Sequence, residues 1–295
     1  MKKHQMKDLE IETKRGSILD GVLFCETTNP DTVLISITGI HGNFYSNPFY
    51  YNFGYTLNQG NIDFIYAQTC DAFGCIRKKN AKTGKNEIIG SCNEDFKNTN
   101  EDIEAYIDYA EKNGYKNIYL AGHSLGANKI IYYLSQNHDK RVKKYILLSP
   151  ANITHLLNQV TEEEKNIIKI YKSKGKDNDL IPFELFGWIE CITRTAYDWV
   201  FNNILNNVNV EKDGDFSQIY NIEHTGAMLI GTYDRFTYGD PSGFLENINN
   251  HTKHPKENKL IFIQHTGHTY QRKEKEVAQA LLDLLNEWRN ISNKE

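Results

Sequence analysis

The run NIYLA (residues 117–121) leads straight into Gly122-His123-Ser124-Leu125-Gly126, and ANKIIYYLSQ follows. A short apolar strand, then G-x-S-x-G, then apolar residues at helical spacing is the setting in which a serine hydroxyl becomes a nucleophile. The spacing has a physical cause. The serine occupies a strained turn that lifts its hydroxyl above the sheet edge. The residues two positions to either side are then pressed together, so both are glycine. The hydroxyl also meets the positive end of the following helix. The competing reading, a plain turn with a capping serine, is disfavoured by the strand and helix on either side.

A serine needs a base at neutral pH, and the base needs a carboxylate to orient it. After AMLIGT (residues 227–232) comes Tyr233-Asp234-Arg235, so Asp234 stands just past a strand end, where α/β sites gather. Asp240 is its rival, but beside Pro241 it reads as a helix start. The next strand, KLIFIQ (residues 259–264), runs into His265-Thr266-Gly267-His268. Either histidine is a candidate base. Read as a metal pair, His265 and His268 lack an acidic or cysteine ligand at a fitting spacing. A tetrahedral intermediate also needs two N–H donors. One is the main chain of Leu125, directly after the serine. The other comes from the loop Thr38-Gly39-Ile40-His41-Gly42-Asn43, which follows the strand TVLISIT.

At these residues the chain resembles the α/β-hydrolase superfamily, and Gly-His-Ser-Leu-Gly is similar to the elbow of its esterases and lipases. The resemblance runs from Thr32 to Trp288 and is weakest over residues 152–222. More narrowly, the chain is similar to an esterase-like branch that includes fungal siderophore esterases. The resemblance implies the chain order serine, acid, histidine, hence Ser124, Asp234 and His268. Gly231 matches the pattern before the acid, and Gly267-His268 resembles the catalytic histidine loop. The loop after TVLISIT is similar to a His-Gly-Phe loop, with Thr38 in place of histidine. That alignment makes Ile40 the second oxyanion donor. Alignment on His41-Gly42 makes it Asn43. Gly39, immediately after the strand, favours Ile40.

His41 and His123 flank these motifs and are expected to line the site. The other histidines, His155 among them, read as surface or structural residues. Phe44 and Tyr45 precede the next helix and could wall a substrate pocket. Aromatics after them, such as Phe49 and Phe53, read as a helix's core face.

The elements that must position these residues alternate. Residues 7–13 and 18–25 read as a hairpin. The β-branched run 32–38 suits a central parallel strand buried on both faces. Helices are expected after Asn47-Pro48, from Thr99, over residues 127–136, near 242–250, and at the end, where Val277, Leu281, Leu284, Leu285 and Trp288 share a face. Such alternation predicts a doubly wound, mostly parallel sheet. It breaks between 152 and 222, where residues 161–173 and 183–205 look helical. The expected organisation is a core of residues 1–151 and 223–295 with a helical cap insertion at 152–222.

The whole chain is consistent with a soluble domain. Its 295 residues are 39% hydrophobic and carry a formal net charge of −4, which gives no support to a nucleic-acid or anionic-membrane partner. No apolar run is long enough for a membrane span, and MKKHQMKDLEIE lacks the apolar core of a secretory signal. The 5 cysteines are odd in number and irregular in spacing, which points to reduced thiols and a cytoplasmic location. Lys82-Thr83-Gly84-Lys85 is not a phosphate loop, because position 79 is lysine where the motif needs glycine.

The expectation is a serine esterase acting through an acyl-enzyme on a small-molecule acyl substrate, without metal or organic cofactor. A thioesterase, amidase or acyltransferase would keep the same three residues. The alternative from another class is a ligand-binding protein that keeps the fold without fast turnover.

Overall fold

The computed structural model describes residues 5–25 and 31–292. The N-terminal hairpin is β1 (Gln5–Glu12) paired antiparallel with β2 (Ile18–Cys25), turning through Gly16. In chain order there follow β3 (Thr32–Ile37), α1 (Phe49–Gln59) and β4 (Asp63–Ala67). A two-stranded antiparallel hairpin, β5 (Ile76–Lys79) and β6 (Asn86–Ile89), comes next, outside the strand pattern of the sequence. Residues 82–85 lie in its exposed turn. Then come α2 (Thr99–Lys112), β7 (Asn117–His123), α3 (Leu125–Asn137) and β8 (Val142–Leu148).

Four helices lie between β8 and the next strand: α4 (Ile153–Leu157), α5 (Glu162–Ser173), α6 (Thr193–Phe201) and α7 (Ser217–Tyr220). The remainder is β9 (Gly226–Gly231), α8 (Pro241–Asn250), β10 (Lys259–Ile263) and α9 (Glu274–Ser292).

The eight-stranded sheet has the order β1-β2-β4-β3-β7-β8-β9-β10. It is parallel from β4 to β10, and β2 joins β4 antiparallel. Every residue of β3 and β4 is buried, as both-face burial of a parallel strand requires. Helices α1 and α9 cover one face through Phe49, Phe53, Leu57, Leu281 and Leu285. Helices α2, α3 and α8 cover the other through Ile103, Ile107, Ile130, Leu134 and Phe244.

Residues 183–205 do not form one helix. Only α6 is helical there, and the stretch before it folds back through bridges Leu180–Ile192 and Leu185–Ile189. Phe186 and Gly187 have φ of 56° and 76°, which no continuous helix accommodates. Helix α5 starts one residue after Thr161. That residue forms a capping box with Glu164, whose carboxylate accepts the Thr161 N–H at 2.8 Å. A third cluster packs Trp199, Ile189 and Leu185 of this region over Leu125 and Phe236 of the sheet's end. Asn128 of α3 ties it down, donating to the Leu205 carbonyl at 3.0 Å. Among the described residues, no helix is long and apolar enough to cross a membrane.

Candidate active site

Ser124 joins β7 to α3 with φ 55° and ψ −127°, a conformation costly for a residue with a side chain. The packing around it explains the flanking glycines. A Cβ on Gly122 would stand 2.2 Å from the Gly126 carbonyl oxygen, and one on Gly126 would stand 2.3 Å from that of Ile37. Two strand ends and a helix start converge here, and no side chain fits between them.

Loops at the C-terminal ends of β9 and β10 carry the partners. Asp234 follows β9 and caps a short 3₁₀ turn, its Oδ1 accepting the Phe236 N–H at 3.0 Å. The carboxylate is buried. Burial pushes its pKa up, but the charge and hydrogen bond of His268 and the Phe236 N–H outweigh this and hold it below the usual range. Its Oδ2 accepts from His268 Nδ1 at 2.8 Å, and the Ser124 hydroxyl lies 2.8 Å from His268 Nε2. A carboxylate on Nδ1 leaves Nε2 as the acceptor. The hydroxyl proton therefore has a direct path to the imidazole. The rivals lie elsewhere: Asp240 caps α8 through the Gly243 N–H, and exposed His265 meets the Tyr233 hydroxyl through Nδ1 at 2.9 Å. Gly231 lets the β9 and β10 loops close, since a Cβ there would meet the Gly267 carbonyl oxygen at 2.5 Å.

The loop after β3 can be read donor by donor. The N–H of His41 goes to the Asp71 carbonyl at 3.0 Å, that of Gly42 to Gly39 at 2.9 Å, and that of Asn43 to Ser46 Oγ at 3.0 Å. Asn43 is thus occupied. The N–H groups of Ile40 and of Leu125, the first residue of α3, make no hydrogen bond among the described residues. Both residues line the cavity at Ser124.

That cavity holds about 170 Å³. Apolar groups dominate it: Ile40, Leu125, Ile153, Leu156, Trp188, Trp199 and Phe236. His123 also lines it, donating from Nε2 to the His268 carbonyl at 2.8 Å. Burial, with the nearby His268, pushes its pKa down to about 3, so it is neutral at pH 7. His41 stands one layer back, bonded to Ser91 Oγ with its ring edge-on to Trp188 at 5.5 Å.

Phe44 and Tyr45, expected to wall a pocket, line no part of this cavity. Phe44 packs into the core beside Tyr51 and Tyr66, with ring centroids 5.0 and 5.7 Å away. Tyr45 is 87% exposed. The β3 loop turns back through Ser46 toward α1, carrying both rings away from Ser124. The aromatic walls come instead from Trp188 and Trp199, and Arg235 and Phe236 complete the lining. The last two were within reach of sequence reasoning, since they directly follow Asp234. The tryptophans were not, because nothing in residues 183–205 shows which face turns inward.

Beneath the site, Lys129 of α3 is buried with Asp71 Oδ1 at 2.7 Å and Glu94 Oε1 at 2.9 Å. Burial and the neighbouring Asp71 push the Glu94 carboxyl up to about 8.

The sheet order and the placement of these loops define the α/β-hydrolase fold, and the chain has it. A family model described as the alpha/beta hydrolase fold matches residues 70–186. Est1E from Butyrivibrio proteoclasticus is similar in structure, with a TM-score of 0.66 over 95% of this chain and 98% of that one, at 18% identity. An esterase from Pyrococcus furiosus aligns over 97% of this chain and 91% of its own, with a TM-score of 0.59 and 16% identity. DcsB, solved with a substrate analogue, aligns over 96% and 99%, with a TM-score of 0.70 and 14% identity. No curated protein matches in sequence.

Proposed function

We propose that the chain is a serine hydrolase that cleaves a carboxylic ester through an acyl-enzyme. Ser124 Oγ attacks the ester carbonyl while its proton passes to His268 Nε2. Asp234 orients the imidazole and stabilises the imidazolium that forms. The N–H groups of Ile40 and Leu125 receive the oxyanion. The tetrahedral intermediate collapses, and the alcohol leaves with the proton from His268. Water then attacks the acyl-enzyme, with the same imidazole as base, and the carboxylic acid departs. The steps call on no metal or organic cofactor. Residues 152–222 act as the cap, contributing Trp188 and Trp199 to the acyl wall.

The observation that carries this reading is the continuous chain from Ser124 Oγ through His268 to Asp234, 2.8 Å at each link. An ester is preferred to other acyl substrates because one structural relative is named an esterase and Est1E was solved with ferulic acid. At about 170 Å³ the cavity is below the roughly 300–1,000 Å³ of pockets for drug-sized ligands, which favours a short acyl group.

The test is turnover of matched short-chain oxygen ester, thioester and amide by wild type and Ser124→Ala. The reading predicts fastest turnover of the oxygen ester and its loss in the variant. Ester hydrolysis that survives Ser124→Ala contradicts it.

A further inference from the structure

Arg235 is the one formally charged side chain among the residues that line the cavity at Ser124. It follows Asp234 directly, so the 3₁₀ turn that fixes the carboxylate also fixes where this arginine starts. Its guanidinium lies over the Phe236 ring, 5.2 Å from the centroid, and that ring stands edge-on to His268 at 4.6 Å. The cation is thus held at the mouth of the cavity, one ring away from the imidazole. Among the described residues it has neither an ion pair nor a hydrogen bond. The neighbouring acid, Asp234, is buried and engaged with His268. The nearby ring of His155 packs on Phe236 and Tyr238; burial first, and then Arg235, push its pKa down, so it offers no counter-charge.

Arg235 is solvent-exposed, so the lack of a partner alone says nothing. What marks it is its place on the rim of the apolar cavity at Ser124. Beside such low-dielectric walls an anion gains more from a cation than it would in water. The planar fork of a guanidinium matches a carboxylate with two parallel hydrogen bonds.

Resting on the serine-hydrolase reading, we propose that the substrate is an anionic ester whose acyl chain bears a second, free carboxylate. The apolar chain lies against Trp188, Trp199 and Phe236, and Arg235 holds its distal carboxylate. Arg235 then sets specificity and takes no part in bond breaking.

The experiment compares mono-p-nitrophenyl glutarate with p-nitrophenyl pentanoate, an acyl chain of the same length without the carboxylate. Wild type is expected to favour the glutarate tenfold or more in kcat/KM, with the preference shrinking as KCl is raised. In Arg235→Gln the glutarate-to-pentanoate ratio should fall tenfold or more, and Arg235→Lys should keep part of it. A ratio unchanged in Arg235→Gln, or a wild type that prefers pentanoate, overturns the proposal. Labelling by a neutral fluorophosphonate separates the two levels. A labelled enzyme without the carboxylate preference refutes the role of Arg235 alone, whereas absence of both labelling and turnover refutes the hydrolase reading and this proposal with it.

Discussion

Lys129 and Asp71 form a buried ion pair, with 2.7 Å between Nζ and Oδ1, that joins the helix following Ser124 to the loop carrying Ile40. The link runs through Asp71, in the loop after β4, whose main-chain carbonyl accepts the His41 N–H at 3.0 Å. One ammonium thus ties α3 to the residues beside the Ile40 loop and also faces Glu94. Removing the cation leaves the buried Asp71 carboxylate uncompensated, at roughly 3–5 kcal/mol. Lys129→Met should lower stability by that order in urea unfolding, and adding Asp71→Asn should restore part of it. A loss under about 1 kcal/mol would mean the cluster is solvated.

Asp234→Asn keeps the shape of the side chain but takes the charge from His268 Nδ1. The amide can donate to Nδ1 and favour the tautomer with its proton on Nε2, facing Ser124 Oγ. A drop in kcat on the order of 10⁴-fold is expected, with the fold intact by circular dichroism. A fall of less than tenfold would remove Asp234 from the mechanism.

His123 gives a pH signature in stability. Its folded pKa is pushed down to about 3 by burial, against an ordinary 6.5. Above pH 6.5 both folded and unfolded chains hold it neutral, and its contribution is fully present. As pH falls from 6.5 toward 3, only the unfolded chain takes the proton, so stability drops by up to about 1.4 kcal/mol per pH unit. His123→Gln can still donate to the His268 carbonyl. Its unfolding free energy between pH 6 and 4 should be shallower in pH by one proton. An unchanged slope would show that His123 protonates in the folded state.

Trp188, 39% exposed and edge-on to His41, closes one side of the cavity. Trp188→Ala should shift the optimum in a series of p-nitrophenyl alkanoates toward longer chains. Each added methylene that finds cover contributes about 0.8 kcal/mol, or about fourfold in kcat/KM. The same optimum in both proteins would place the acyl chain elsewhere.

How legible these features were in sequence depended on whether local chemistry alone set them. The β7–α3 turn was readable because the approach of Gly122 to Gly126 forbids side chains and so leaves a pattern. The buried strand β3 was readable from its β-branched, mostly apolar run. Position in the chain drew attention to Asp234 and His268, each just past an apolar strand. The short β5–β6 hairpin was not readable: its strands, IRKK and NEII, are half exposed and lack a strong apolar alternation. Lys129 and Glu94 carry charges that ordinarily mark a surface, and only long-range packing buries them together. Phe44 and Tyr45 misled because aromatic type says nothing of direction, and the loop through Ser46 aims both away from Ser124. The fold-back at Phe186 and Gly187 hid which residues of the insertion face the cavity.

The most direct test of the central claim is to treat the wild-type protein with a p-nitrophenyl alkylphosphonate and locate the adduct by intact mass and peptide mapping. The account predicts one phosphonyl group per chain, on Ser124, formed in step with loss of esterase activity and absent in Ser124→Ala. Full inactivation with the adduct on another residue, or sustained ester turnover with Ser124 fully modified, would contradict it.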